Sequence, residues 1–65
     1  MGRRVRKLRN RLGMSQREFA DVFGIPANSI RQYEIGRYMP PPGIRAYLKV
    51  IEAEPEMVQR VMMAG

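Results

Sequence analysis

Paired stop and start signals divide the first 36 residues into short helices, and this punctuation constrains the fold more than any other feature. Gly13 and Gly24 mark helix ends, because glycine adopts the left-handed conformation of a C-terminal cap without a steric penalty. Ser15 and Glu18 have the spacing of a capping box, which begins a second helix. Pro26 suits the first turn of a third helix, where its missing N–H costs nothing. These signals predict helices over about 3–12, 15–23 and 26–36.

Apolar residues recur at helical spacing through most of the chain, and no stretch alternates apolar and polar residues as a half-buried strand does. Segment 39–43 contains three consecutive prolines and is expected to be a non-helical loop. A fourth helix is predicted over about 44–52, and its apolar stripe is Ile44, Tyr47, Leu48 and Ile51. Pro55 opens a last short helix, so the C-terminal helices span about 44–63. The sequence therefore predicts an all-α bundle of about five short helices in one domain, 1–65.

The composition excludes several classes of site. The chain has 12 Lys and Arg against 6 Asp and Glu, a formal charge of +6, and it contains no Cys and no His. Disulfides, zinc sites built from Cys and His, and His-based acid–base catalysis are therefore excluded. The acids do not cluster with metal-ligand spacing, so neither a metal nor another cofactor is expected. No apolar stretch reaches the ~20 residues of a membrane helix and no signal-peptide core is present, so a cytoplasmic, nucleoid-associated location is expected.

The basic residues are concentrated near the N-terminus, which indicates a polyanionic partner. Six of them occur with no acid among them: Arg3, Arg4, Arg6, Lys7, Arg9 and Arg11. Three of the six acids lie together near the other end, at Glu52, Glu54 and Glu56. An ordinary solvated helix face is the alternative interpretation of the basic run, because charged surfaces are common.

Two short helices joined by a tight turn at Gly24 have the layout of a helix-turn-helix, over about 15–36. Ala20 lies four residues before the turn glycine and is small enough to let the two helices approach closely. Ile25 and Ile30 are expected to hold the second helix of the motif across the first. This combination is far more specific than a basic patch alone.

The motif resembles the lambda-repressor- and Cro-like (XRE-type) helix-turn-helix family. The matching residues are 14–20, Gly24-Ile25-Pro26, Ser29-Ile30, 33–37 and Pro40. A narrower resemblance to the compact HigA-like antitoxin regulators rests on Gly24-Ile25-Pro26, Pro42, 45–51 and 54–56. The resemblance implies a lambda-repressor-like bundle with a central helix-turn-helix, and double-stranded DNA as the partner.

Residues on the third helix are candidates for reading bases in the major groove. The outward-facing positions are expected to be Ala27, Asn28, Arg31 and Gln32. Asn and Gln can bind adenine with two hydrogen bonds, and Arg can bind guanine. The resemblance implies that Asn28 and Gln32 are the main base contacts. Arg31 can also reach a flanking phosphate, and Ala27 can pack on a thymine methyl group.

A second set of residues is expected to contact DNA phosphates: Gln16, Arg17, Ser29, Arg37 and Tyr38. The resemblance implies that Gln16 both contacts a phosphate and braces the recognition helix. The helix N-terminus at that position also offers free N–H groups and a positive dipole end to the DNA backbone. The resemblance further implies that Arg9 and Glu34 form a structural ion pair that locks the recognition helix.

Three assignments have alternatives. Asn28 also suits the N-terminal cap of the third helix, and Gln32 is equally compatible with a neutral surface position. Ile35 departs from the polar residue that many family members carry before the glycine. This change either weakens the phosphate contact at that corner or turns Ile35 inward, and the Tyr38 hydroxyl is a possible substitute donor.

These features favour a homodimeric transcriptional repressor that reads a near-palindromic operator as two half-sites. The dimer contact is expected on the last helix, at Met57, Val58, Val61 and Met62. The alternative is an antitoxin that binds a toxin directly and represses its own operon, which the narrower resemblance favours. An enzyme is not expected, because the chain has no His, no Cys, no phosphate-binding glycine loop and no paired carboxylates in a plausible pocket.

Overall fold

The computed structural model describes residues 1–64, and these form five α-helices joined by short turns. The helices are α1 (Gly2–Arg11), α2 (Gln16–Phe23), α3 (Ala27–Glu34), α4 (Pro42–Ala53) and α5 (Pro55–Ala64). Residues 1–64 contain no strand, so the predicted all-α bundle is confirmed. No helix in this part of the chain is both long enough and apolar enough to cross a membrane.

Every helix contributes to one apolar core. Its most deeply buried side chains include Phe19, Phe23, Ile30 and Ile51. The rings of Phe19 and Phe23 are tilted, with 4.7 Å between their centroids, which is a favourable arrangement for an aromatic pair. Helix α3 packs on α1 and α2, and α5 packs on α2 and α4. The two helices of the motif are therefore held in place by the other three.

The predicted capping signals fix both ends of α2. The Glu18 N–H donates to Ser15 Oγ at 3.0 Å, and the Ser15 N–H donates to Glu18 Oε1 at 2.9 Å, which completes the capping box. At the other end, Gly24 adopts a left-handed φ of +73°, and its N–H donates to the Ala20 carbonyl at 2.8 Å. Because this turn is so tight, α3 begins only three residues later and packs against α2.

The loop prediction for 39–43 is wrong at its C-terminal end. Helix α4 begins at Pro42, so Pro42 and Gly43 form its first turn. The physical reason is that the first N–H groups of a helix have no partner within the helix, so proline is tolerated there. Tyr47, on the next turn, donates its hydroxyl hydrogen to the Phe23 carbonyl at 2.7 Å and fastens α4 to the end of α2. Burial raises the pKa of Tyr47 above its ordinary value.

The third helix is shorter than the predicted range 26–36. Pro26 is its N-terminal cap and Glu34 its last residue, and Gly36 adopts a left-handed φ of +78° beyond it. The Arg37 N–H donates to the Gln32 carbonyl at 3.0 Å, and this bond closes a Schellman-type end. Asn28 lies inside the first turn and not at the cap, so the capping alternative for Asn28 is wrong.

We expect Gly24→Ala to lower the free energy of unfolding by about 1–2 kcal/mol, because a Cβ penalises the left-handed conformation. Met62 Cε lies 3.2 Å from the position that the new Cβ would occupy and adds a smaller penalty that its flexible side chain can relieve. Gly43→Ala is the matched control, since Gly43 is helical with open space around it. Urea denaturation measures both, and equal stability of the two variants would contradict the analysis.

Candidate nucleic-acid interface

Helix α3 presents a polar ridge to solvent and an apolar face to the core. Ile30 and Tyr33 are buried, at 0% and 8% exposure, and anchor the inner face. Asn28 and Arg31 are exposed on the other side. Of the remaining predicted base contacts, Ala27 is half-buried against the core. The structure thus brings the predicted base-reading positions onto one helix surface, but it does not expose them equally.

Gln32 lies on this ridge, but its side chain is not simply exposed to solvent. Its side chain is half-buried, and its Oε1 is sealed from solvent without a hydrogen-bond partner among the described residues. The expectation that Gln32 is an outward-facing position is therefore only partly met. Ser29, predicted to contact phosphate, is also half-buried. Both residues border a groove of about 280 Å³ that lies between α3 and the segment leading to α4.

The end of α3 is tied to α1 and α2 through a buried carboxylate. The side chain of Glu34 is only 1% exposed, and its Oε2 accepts a hydrogen bond from Arg9 Nε at 2.7 Å. Its Oε1 accepts from Arg9 Nη2 at 2.9 Å, from Gln16 Nε2 at 3.3 Å and from Arg6 Nε at 3.4 Å. Arg9 also donates to the Met14 carbonyl at 3.0 Å. Three helices therefore meet at one anion.

The geometry of this cluster decides the charge state of Glu34. Burial by itself raises the pKa of a carboxyl group, but hydrogen bonds from Arg9 and Gln16 outweigh that effect. The pKa of Glu34 consequently lies below its ordinary value of 4.5. The arrangement of Arg9, in two hydrogen bonds to one carboxylate, is the strong bidentate form of an ion pair. Sequence reasoning missed Arg6, whose spacing of three residues from Arg9 places both on one face of α1.

Several arginines of the N-terminal basic run make hydrogen bonds within the protein although their side chains remain partly exposed. Arg4 donates to Glu52 with Nε at 2.9 Å and Nη2 at 2.6 Å. Arg11 donates to the Glu52 carbonyl at 2.8 Å. These contacts hold α1 against the end of α4. The hydrogen bonds from Arg4 also lower the pKa of Glu52 below its ordinary value. Neither the phosphate interpretation nor the solvated-face interpretation of the run anticipated this role.

The corner after α3 exposes the other predicted phosphate contacts. Arg37 and Tyr38 are both exposed, and the Arg37 guanidinium lies 5.9 Å from the centre of the Tyr38 ring. Ile35 is 60% exposed, so the alternative in which it turns inward is wrong. Arg17 is exposed near the start of α2, while Gln16 is half-buried and faces Glu34. Of the predicted phosphate contacts, Arg17, Arg37 and Tyr38 are therefore exposed, whereas Gln16 is engaged with Glu34.

The residues predicted for a dimer contact do not share one environment. Val58 is 6% exposed and belongs to the core of its own chain, which corrects its assignment to an intermolecular surface. Met57, Val61 and Met62 are exposed on α5, at 39%, 60% and 43%. The helical period explains the difference, because the position facing α2 and α4 must be filled by the chain itself.

A family model described as a helix-turn-helix domain matches residues 1–61, which span all of α1 to α4 and most of α5. The chain belongs to this helix-turn-helix family. The match agrees with the resemblance to lambda-repressor- and Cro-like proteins, and helix-turn-helix domains characteristically insert their second motif helix into the major groove. No solved structure gives a significant match.

This helix-turn-helix chain also matches a curated relative, Antitoxin MqsA of Escherichia coli (strain K12). The two are 31% identical over 55 residues, which cover 85% of this chain and 42% of the antitoxin. The chain thus spans about two fifths of the length of that relative. The match agrees with the predicted similarity to compact antitoxin-like regulators.

We expect Glu34→Gln to lower the free energy of unfolding by about 2–4 kcal/mol, because Arg9 loses a charged partner in a largely buried site. Arg4→Met is the control, since it breaks an ion pair of half-exposed side chains that solvent screens. Urea denaturation at neutral pH measures both losses. A Glu34→Gln variant as stable as the Arg4→Met variant would contradict the structural role of the cluster.

Acid is expected to destabilise the chain because Glu34, Glu52 and Glu18 all have lowered pKa values in the folded state. A lowered folded-state pKa contributes stability that is present above the ordinary value of 4.5 and lost as the pH falls through the lowered value. The urea midpoint should therefore fall between about pH 6 and about pH 3. The fall should be smaller in Glu34→Gln, and an identical pH profile in that variant would contradict the assignment.

Proposed function

We propose that this chain is a sequence-specific DNA-binding transcriptional regulator that inserts α3 into the major groove of a short operator. The observation that carries the proposal is the two-sided character of α3, with Ile30 and Tyr33 in the core and Asn28 and Arg31 exposed. Membership of the helix-turn-helix family supports the same docking mode. The formal charge of +6 supports attraction to a polyanion over long range.

The proposed contacts divide into base readers and phosphate contacts. Asn28 and Gln32 lie one helical turn apart and are proposed to read bases, with Arg31 at a base or a flanking phosphate and Ala27 near a thymine methyl group. Arg37, Tyr38, Arg17, Ser29 and Gln16 are proposed to position the domain on the phosphate backbone. The rigid attachment of α3 through Glu34 supports a precise register, because the ridge then has one orientation relative to α2.

We propose further that the regulator is a homodimeric repressor in a cytoplasmic, nucleoid-associated setting. Met57, Val61 and Met62 are exposed apolar side chains on α5 that are suited to contact with a second copy. A dimer would read two half-sites separated by about one turn of DNA. It would also compensate for the limited surface that one small module buries on DNA.

A second candidate function is favoured by the match to Antitoxin MqsA. In this proposal the chain binds a toxin protein and represses the operon that encodes both. The matched portion covers only 42% of the antitoxin. Any toxin contacts made by the rest of that relative therefore have no aligned residues in the matched part of this chain. A toxin gene beside the gene for this chain, and co-purification of the two products, would support it.

The central test is an unbiased selection of randomised DNA duplexes by the purified chain, followed by titration of the selected duplex and a scrambled one. A repressor is expected to enrich an inverted repeat and to bind it about 10³-fold or more tightly than scrambled DNA. Enrichment of no sequence, with weak and equal binding to all duplexes at low salt, would refute the proposal.

We expect Arg37→Ala to weaken binding to selected and scrambled duplexes alike and to reduce the salt slope by about one unit per chain. The reason is that a phosphate contact releases counterions without reading the base. Fluorescence anisotropy at several salt concentrations measures both quantities. Lys49→Ala, on α4 away from the proposed contacts, is the control, and an unchanged slope in Arg37→Ala would show that Arg37 does not contact phosphate.

A further inference from the structure

Gln32 does not present both ends of its amide to the surface. Its Oε1 is buried without a partner, whereas its Nε2 is not among the buried atoms without a partner and donates no hydrogen bond within residues 1–64. The side chain also borders the groove of about 280 Å³ next to α3, which leaves room for the edge of a base. The accessible end of Gln32 is therefore a hydrogen-bond donor.

A rotation of the Gln32 amide by about 180° would expose Oε1, but this rotation has a free-energy cost. That rotation would bury the NH₂ group in place of the carbonyl, and buried N–H groups without partners are rarer in proteins than buried carbonyls without partners. Asn28, one turn earlier, is exposed, and neither end of its amide is among the buried atoms without a partner. The two amides on the ridge of α3 consequently differ in what they can offer to DNA.

We propose that Gln32 reads guanine as a donor only, while Asn28 remains free to bind adenine through both ends of its amide. Adenine recognition by a glutamine needs Oε1 to accept from N6 while Nε2 donates to N7. Guanine presents two adjacent acceptors, N7 and O6, and needs no acceptor from the protein. The inference rests on the proposed DNA-binding function and replaces the adenine contact that the sequence suggests for Gln32.

The test uses the selected duplex and asks which base pair depends on Gln32. Selection is repeated with Gln32→Ala and, as the matched control, with Asn28→Ala. We expect Gln32→Ala to abolish the preference at one G·C pair and to weaken binding to that site by about 5- to 50-fold. Asn28→Ala should keep that preference and lose another. A Gln32-dependent preference for any pair other than G·C would overturn the inference.

A chemical probe separates the guanine contact from a general loss of affinity. Replacing the implicated guanine by 7-deazaguanine removes N7 and should weaken the wild-type chain by about 5- to 10-fold. The Gln32→Ala variant should bind both duplexes equally. If 7-deazaguanine affects both proteins to the same extent, Gln32 does not donate to N7 of that base, and the inferred guanine contact is overturned. Failure of the wild-type chain to enrich any sequence is a different result, because it refutes the proposed function itself.

The premise can be checked on the free chain. Gln32→Leu replaces a buried carbonyl that lacks a partner by an apolar group, so we expect a higher melting temperature together with weaker binding to the selected duplex. Gln59→Leu on α5 is the matched control, because the amide oxygen of Gln59 is not among the buried atoms without a partner. A melting temperature for Gln32→Leu at or below that of the wild-type chain would overturn the buried-acceptor premise.

Discussion

The buried carboxylate of Glu34 is the contact on which the orientation of α3 depends. Its oxygens accept hydrogen bonds from Arg9 on α1 and from Gln16 on α2, so the end of α3 is joined to both neighbouring helices. A carboxylate with 1% exposure is tolerated only while these donors remain in place. Any rotation of α3 that turned Asn28 or Arg31 away from solvent would break this cluster. The Glu34 carboxylate therefore fixes the orientation of α3, and with it the exposed face of this helix, relative to α1 and α2.

The distribution of charge inside the molecule changes how its basic composition is interpreted. Arg9 is committed to Glu34, while Arg4 and Arg11 clasp α1 to Glu52 at the end of α4. These arginines still contribute to the field of a chain with a formal charge of +6. They stabilise the fold through directed hydrogen bonds, however, so the proposed phosphate contacts lie on other residues, notably Arg37. Net charge and contact residues are thus separate properties of this chain.

The polar ridge of α3 contains the Oε1 of Gln32, which is the one buried side-chain polar atom without a partner in the described residues. Local conflicts of this kind are concentrated at functional surfaces in folded proteins, where a residue is selected for what it does and not for stability. The glutamine is accommodated because the rest of α3 is well anchored by Ile30, Tyr33 and the Glu34 cluster. Stability elsewhere in the helix makes an unfavourable side chain tolerable at its surface.

The sequence by itself determined the helices and the motif, because their signals act within a few residues. The capping box of Ser15 and Glu18, the left-handed glycines and the apolar stripes are all relations between near neighbours. The resemblance to known helix-turn-helix proteins supplied the pairing of Arg9 with Glu34, which are 25 residues apart.

Only the tertiary structure decided which side chains are engaged in contacts within the protein itself. Arg4 and Glu52 are 48 residues apart, and no periodic pattern links them. The same holds for the burial of Val58 within its own chain and for the sealed oxygen of Gln32. Exposure depends on how helices distant in sequence pack against one another, whereas helix formation depends chiefly on local backbone geometry and side-chain spacing.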